Sequence, residues 1–199
     1  MSAVVGRGKL GRVSGVCEVK GVAFHTFFQA MRELRGDGAV ELTRAKMREE
    51  WNQRWNFGGI SRVGYYPLAE YSDVHAAADA ALGGGAAFAR ELGSKATEID
   101  TRGVLRFVLG VTSASLLLRY ADKVWSSYAR GATVVVENRA PEGYDIEFQN
   151  MTGASELVFA EIEGSIEMLL ARTGARVEVT RRRLGNAPAS ARYFVSWKE

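Results

Sequence analysis

Ala132-Thr133-Val134-Val135-Val136-Glu137-Asn138 and Tyr144-Asp145-Ile146-Glu147-Phe148-Gln149-Asn150 alternate apolar and polar residues and read as paired strands. A helical run from Ala154 to Thr173 follows, and then a second strand pair, Arg176–Arg183 and Ala191–Lys198. Val134 and Val136 share one face, as do Ile146 and Phe148, and Tyr193, Val195 and Trp197 alternate in the last strand. Pro141-Glu142-Gly143 is a turn signal, and Gly185-Asn186 with Pro188 marks a loop. This ββαββ ending makes the fold class α+β, with helices packed on a four- to five-stranded, mostly antiparallel sheet.

Upstream, two apolar-periodic helices run from about Thr101 to Tyr128, the first over Arg102–Leu109 and the second from Ser113 or Ser115 through Arg130. Leu117, Leu118, Ala121, Val124, Trp125 and Tyr128 form the second helix's stripe, and Gly131 is placed to end it. Val13–Ala23 alternates like a strand that joins the sheet or pairs with a partner subunit. Phe24–Arg35 and Glu41–Asn56 read as helices, the latter with Met47, Trp51 and Trp55 on one face and Thr43 as a cap. Tyr71–Leu82 and a short Ala86–Gly93 complete the helices, separated by Gly83-Gly84-Gly85. Residues 1–12 read as a flexible tail and 13–199 as one α+β domain, with a strand and helices over 13–130 and the sheet part over 131–199.

Composition removes several functions. The 47% hydrophobic fraction suits a globule with a real core. Lys+Arg (26) barely exceeds Asp+Glu (23), with charges interspersed, so no nucleic-acid partner is expected. No stretch reaches the ~18 uninterrupted apolar residues of a membrane span. The start, Met1 to Gly6, lacks an apolar run behind a basic segment, so no secretory signal is expected. Cys17 stands alone, which fits a reducing cytoplasm and leaves neither an intramolecular disulfide nor a cysteine zinc site.

Chemistry-bearing patterns are few. Gly6-Arg7-Gly8-Lys9-Leu10-Gly11-Arg12-Val13 spells a phosphate-loop string, but the buried strand before it and the helix after it are missing. His25 opens an apolar helix, and His75, beside Asp73, reads as part of a solvated helix face. Cys17 reads as a small buried hydrophobe. No serine sits in a nucleophile elbow, so no catalytic residue is named. Met47, Trp51, Trp55 and Phe57, with Leu117 and Trp125 further on, are the candidates for a ligand or partner surface. Arg44 and Arg48, with Arg54 beside them, are candidates for an anion contact, against the plainer reading that the three pair with Glu49 and Glu50 on a solvated face. Arg181-Arg182-Arg183 reads as protection of an edge strand.

Three segments together resemble an uncharacterised protein family abundant in myxobacteria. They are Tyr65-Tyr66-Pro67-Leu68 with the following helix, Gly83–Gly85 and Ala89-Arg90-Glu91-Leu92-Gly93; Trp125-Ser126-Ser127-Tyr128-Ala129-Arg130-Gly131; and Ala191-Arg192-Tyr193-Phe194-Val195-Ser196-Trp197. The resemblance spans roughly residues 18–198. That family is similar to the superfamily of 4-vinyl-reductase-type sensors, haem-NO-binding domains and TRAPP tethering subunits. The resemblance implies a non-enzymatic sensory or regulatory module in bacterial signalling, with a small apolar ligand, a protein partner, or both, and a homodimer. A scaffold subunit with a filled core is the alternative, and an enzyme the second alternative. Haem-binding relatives use a histidine after the middle helices, whereas Ile99–Tyr120 holds neither His nor Cys. Vinyl-reductase-type relatives carry cysteines near the last strand pair, where this chain has Thr180–Asn186. On these grounds no cofactor, haem included, and no metal is expected.

Overall fold

A computed structural model describes residues 15–56, 58–102, 113–139, 143–174, 176–183 and 189–198. The glycine-rich string, the helix expected over 102–109, Phe57, and Pro141-Glu142 of the expected turn lie outside them. The helices are α1 (Gly21–Arg35), α2 (Asp37–Lys46), α3 (Glu49–Asn56), α4 (Leu68–Leu82), α5 (Gly85–Asp100), α6 (Ala114–Arg119), α7 (Ala121–Tyr128) and α8 (Glu156–Ala171). The strands are β1 (Glu18–Lys20), β2 (Tyr65–Pro67), β3 (Ala129–Arg130), β4 (Thr133–Asn138), β5 (Tyr144–Gln149), β6 (Arg176–Arg183) and β7 (Ala191–Lys198). The class is α+β, as the sequence implies.

β4-β5-β7-β6 form the main sheet, antiparallel throughout. Its register sets Val134 opposite Phe148, Val136 opposite Ile146, and Ile146 opposite Tyr193. These pairs carry the apolar face, on which Ile146, Phe148, Val179, Tyr193 and Val195 are buried. The Tyr193 hydroxyl donates to the Phe159 carbonyl of α8 at 2.8 Å, tying that helix to the sheet. β6 is an edge strand, as its arginines suggest.

The N-terminal strand is shorter than Val13–Ala23 and does not join the main sheet. β1 lies between β2 and β3 in a separate small sheet. It stops at Lys20 because the loop before β2 takes the free amides of a helix start: Gly21 N donates to Gly64 O at 2.8 Å and Val22 N to Arg62 O at 2.9 Å. α1 then buries Phe24, Phe27, Phe28 and Met31 at helical spacing.

The single helix expected over Glu41–Asn56 is two helices. Met47 adopts an extended conformation and its amide closes the last turn on the Arg44 carbonyl at 3.1 Å, to which Asn52 Nδ2 adds a second bond at 2.6 Å. No glycine or proline marks this break. Thr43 is no cap: it is buried within α2, its hydroxyl 3.3 Å from Met31 Sδ. The expected helix ending at Arg130 is likewise interrupted, at Tyr120, after a start at which Ser113 Oγ accepts from Leu116 N.

α5 does not end at Gly93 but continues to Asp100. Gly93 lies where α5 crosses α8. A Cβ on it would sit 1.9 Å from the Glu161 carbonyl oxygen, and one on Gly164 of α8 would sit 1.9 Å from the Arg90 carbonyl oxygen. Each helix thus presses its backbone against a glycine of the other. α8 is anchored at its start too, where Ser155 caps it and the Ser155 amide donates to Ser72 Oγ of α4 at 3.0 Å.

Backbone atoms cannot swing aside, so Gly93→Ala and Gly164→Ala should each lower stability by about 3 kcal/mol, the upper end of overpacking costs. Gly38→Ala, with open space around a helical glycine, should raise it by about 0.5–1 kcal/mol. Urea unfolding of the three variants checks both statements.

Candidate functional site

The buried polar group of the protein lies where α4 meets α8. Tyr71 and His75 stand one turn apart on α4 and both reach Glu161 of α8. The Tyr71 hydroxyl donates to Oε1 at 2.6 Å, and His75 Nε2 lies 3.0 Å from Oε2. All three residues are buried. Aromatic rings enclose them: Phe27 packs edge-on against His75 at 4.7 Å between centroids, and Phe24 against Tyr71 at 4.9 Å. Burial, then the Glu161 charge, pushes the Tyr71 phenol well up, so it remains a proton donor. His75 is therefore not on a solvated face. The sequence did carry a signal for Glu161: it is the one acidic position within the run Leu157-Val158-Phe159-Ala160-Glu161-Ile162.

A second polar junction ties α1, α5 and α7. Asp100 accepts from Thr26 Oγ1 at 3.0 Å and from the Tyr128 hydroxyl at 3.2 Å. Burial pushes its carboxyl up, while the two hydrogen bonds pull it back. Asp100 thus ends one helix and ties two others to it.

The sequence-derived candidates separate into three places. Met47, Arg48 and Trp51 meet in a groove of about 370 Å³ between the α2–α3 corner and α4, together with Lys46, Asp73, Val74, Ala76, Ala77 and Ala80. Trp51 forms part of its floor, buried and stacked on Phe24 at 5.2 Å. Trp55 turns elsewhere, against His25 at 4.9 Å and Phe28 at 5.0 Å. Leu117 and Trp125 pack near the main sheet, where Trp125 meets Phe148 edge-on at 4.9 Å. The Trp125 indole N–H is buried there without an acceptor among the described residues.

The arginines pair differently from the sequence reading. Arg48 bonds Asp73, and Arg54 bonds Glu70 at 3.3 Å; Glu49 and Glu50 are not their partners. Arg44 bonds Asn56 within the helix corner, its Nε buried without an acceptor among the described residues, and it does not line the groove. His25 Nε2 is 2.8 Å from the Ile60 carbonyl. Cys17 is fully buried, and burial with the neighbouring Glu18 charge pushes its thiol up to about 11. Among the described residues no cluster of three or more His, Cys, Asp or Glu is placed to hold a metal, and no helix is long and apolar enough to cross a membrane.

Compared with known proteins, the chain matches no family model and no curated protein. It does match solved structures over 90% of its length. An Fe(II) unliganded H-NOX protein variant from K. algicida superposes with a TM-score of 0.70 at 14% identity, with 97% of that chain covered. An oxygen-binding H-NOX domain related to soluble guanylate cyclases, in its oxygen complex, gives 0.66 at 15% identity, with 95% covered. A structure concerned with haem redox potential and porphyrin distortion gives 0.66 at 16% identity, with 99% covered. The architecture is that of H-NOX domains.

This likeness corrects the expectation of no cofactor. The missing histidine in Ile99–Tyr120 does not exclude haem from a chain that shares its fold with haem proteins. The described side chains nevertheless do not form an axial site. His75 Nε2 faces Glu161, His25 Nε2 faces a backbone carbonyl, and the Cys17 thiol is buried in its protonated form.

Tyr71→Phe removes a hydrogen bond to a buried carboxylate and should cost about 1.5–3 kcal/mol in denaturant unfolding; a loss below about 0.5 kcal/mol would mean that Glu161 does not depend on it. Thiolate is the reactive form of cysteine. Native protein at pH 8 should therefore leave Cys17 unmodified by a thiol reagent that labels it at once in guanidinium, and equal rates would contradict its burial.

Proposed function

We propose that this protein is a sensory or regulatory module of the H-NOX architecture that binds a small ligand and signals through contacts with a protein partner, without catalysing a reaction. The observation that carries this reading is the extent of the shared fold, 90% of this chain and 95–99% of the three H-NOX chains. The neighbours supply the ligand class to test first, since their descriptions name Fe(II), oxygen and haem. The buried Tyr71–His75–Glu161 group supports it as well, because it joins two helices through three side chains and would register a shift of either helix. The resemblance to the myxobacterial family belongs to the same proposal, carried by the segment Trp125–Gly131. So do a cytoplasmic location and a homodimer. Trp51 is largely covered by the protein's own core, so an uncovered Trp–Met stripe no longer argues for the dimer, which rests on the resemblance alone.

A scaffold role is the second reading, favoured by the dense packing of the described core, in which Phe24, Phe27, Met31 and Tyr193 are fully buried. Native mass spectrometry of gently purified protein, repeated after denaturation, separates the two. The sensor reading predicts a mass excess that vanishes on denaturation; haem as its source would add a Soret absorption band. Bare protein, unchanged after incubation with haemin, would favour the scaffold.

A further inference from the structure

The groove between the α2–α3 corner and α4 has the chemistry of a binding site separate from the protein's interior. Its floor is apolar, made by Met47, Trp51, Val74 and Ala77, the last three buried. The outer wall on α4 is Ala76 and Ala80, both exposed and too short to fill the space above the floor. At about 370 Å³ it falls in the size range of small-molecule sites.

Charge on the rim decides what fits. Lys46, Arg48 and Asp73 stand there. Arg48 and Asp73 face each other as an ion pair whose side chains are 60% and 53% exposed, so the pair is held weakly and Arg48 is available to a competing anion. Lys46 is exposed and makes no ion pair with any described residue. The rim therefore presents one free cation and a second that is loosely held, above an apolar floor. A neutral apolar molecule would leave the Lys46 charge unused, and a dianion would lack enough free positive charge.

We propose that this groove binds a small monocarboxylate with an apolar body, the body lying on Met47, Trp51 and Val74 and the carboxylate meeting Lys46 and Arg48. The inference deepens the ligand-binding reading above by naming a chemical class, and it rests on a surface of its own. A protein that carries an interior ligand but ignores monocarboxylates would overturn this inference alone.

Isothermal titration calorimetry on the full chain with phenylacetate and hexanoate, each against its neutral amide, tests it. Saturable binding of at least one carboxylate is expected, with its amide about tenfold weaker or more. Lys46→Glu should weaken the carboxylate about tenfold. Ala76→Leu, which fills the groove from its exposed side, should abolish binding, and unchanged circular dichroism would show that both variants fold. The tighter of the two carboxylates tells an aryl from an alkyl body. No saturation with either, equal affinity for the amide, or unchanged binding in both variants would overturn the proposal.

Discussion

The backbone-to-backbone crossing of α5 and α8 is the constraint on which the rest of this structure depends. Gly93 and Gly164 each receive the other helix's carbonyl where a side chain would stand, so the two helices lie closer than ordinary packing allows. That closeness fixes α8 along its length. One end of α8 is held by Ser155 and Ser72, and its body by the Tyr193 hydroxyl on the Phe159 carbonyl. Glu161, whose own carbonyl is the one facing Gly93, then has a set direction for its side chain, toward Tyr71 and His75. A wider helix pair would pull that carboxylate away from its donors and leave a buried charge without partners, which is far costlier than the bonds themselves are worth.

The polar core and the aromatic core are thus one arrangement. Phe24 and Phe27 of α1 pack on Tyr71 and His75, while Trp51 of α3 stacks on Phe24 from the other side. A chain of contacts runs from α8 through α4 and α1 to the floor of the outer groove. A ligand on Trp51 would rest on the ring that stacks on Phe24, which in turn packs against Tyr71. In a sensor, such continuity is the physical means by which an outer site and the interior are coupled; demonstrating it takes a coupling energy rather than proximity alone.

Much of the fold was legible because the sheet announces itself by alternation. Val134, Val136, Ile146, Phe148, Tyr193 and Val195 repeat every second residue, and their register follows from that period. Breaks made by tertiary contacts were not legible. The turn at Met47 has no glycine or proline; it is closed by the Met47 amide and the Asn52 side chain, both on the Arg44 carbonyl. Gly93 was misread for a related reason: after a run of alanines a glycine looks like a helix end, yet here it serves close approach in mid-helix. Within the candidate site, Met47, Arg48 and Trp51 lie together although the helix breaks at Met47, because the α2–α3 corner sits against α4, whereas Trp55, on the same helix α3 as Trp51, packs toward His25 and Phe28. His75 looked solvated from its neighbour Asp73, and only the pairing with Glu161, far along the chain, explains its burial. The haem question shows the opposite limit: a missing motif residue was taken as exclusion, and the shared architecture removes that ground.

The most direct test is hydrogen–deuterium exchange read by mass spectrometry across α4, α5 and α8. If the glycine crossing and the Glu161 hydrogen bonds hold these helices as one unit, their amides should be the slowest in the chain and exchange with a common opening free energy, equal to that of global unfolding. Amides of α8 that open well before those of α5 and α4 would contradict the account, because the crossing would then not be what holds the structure together.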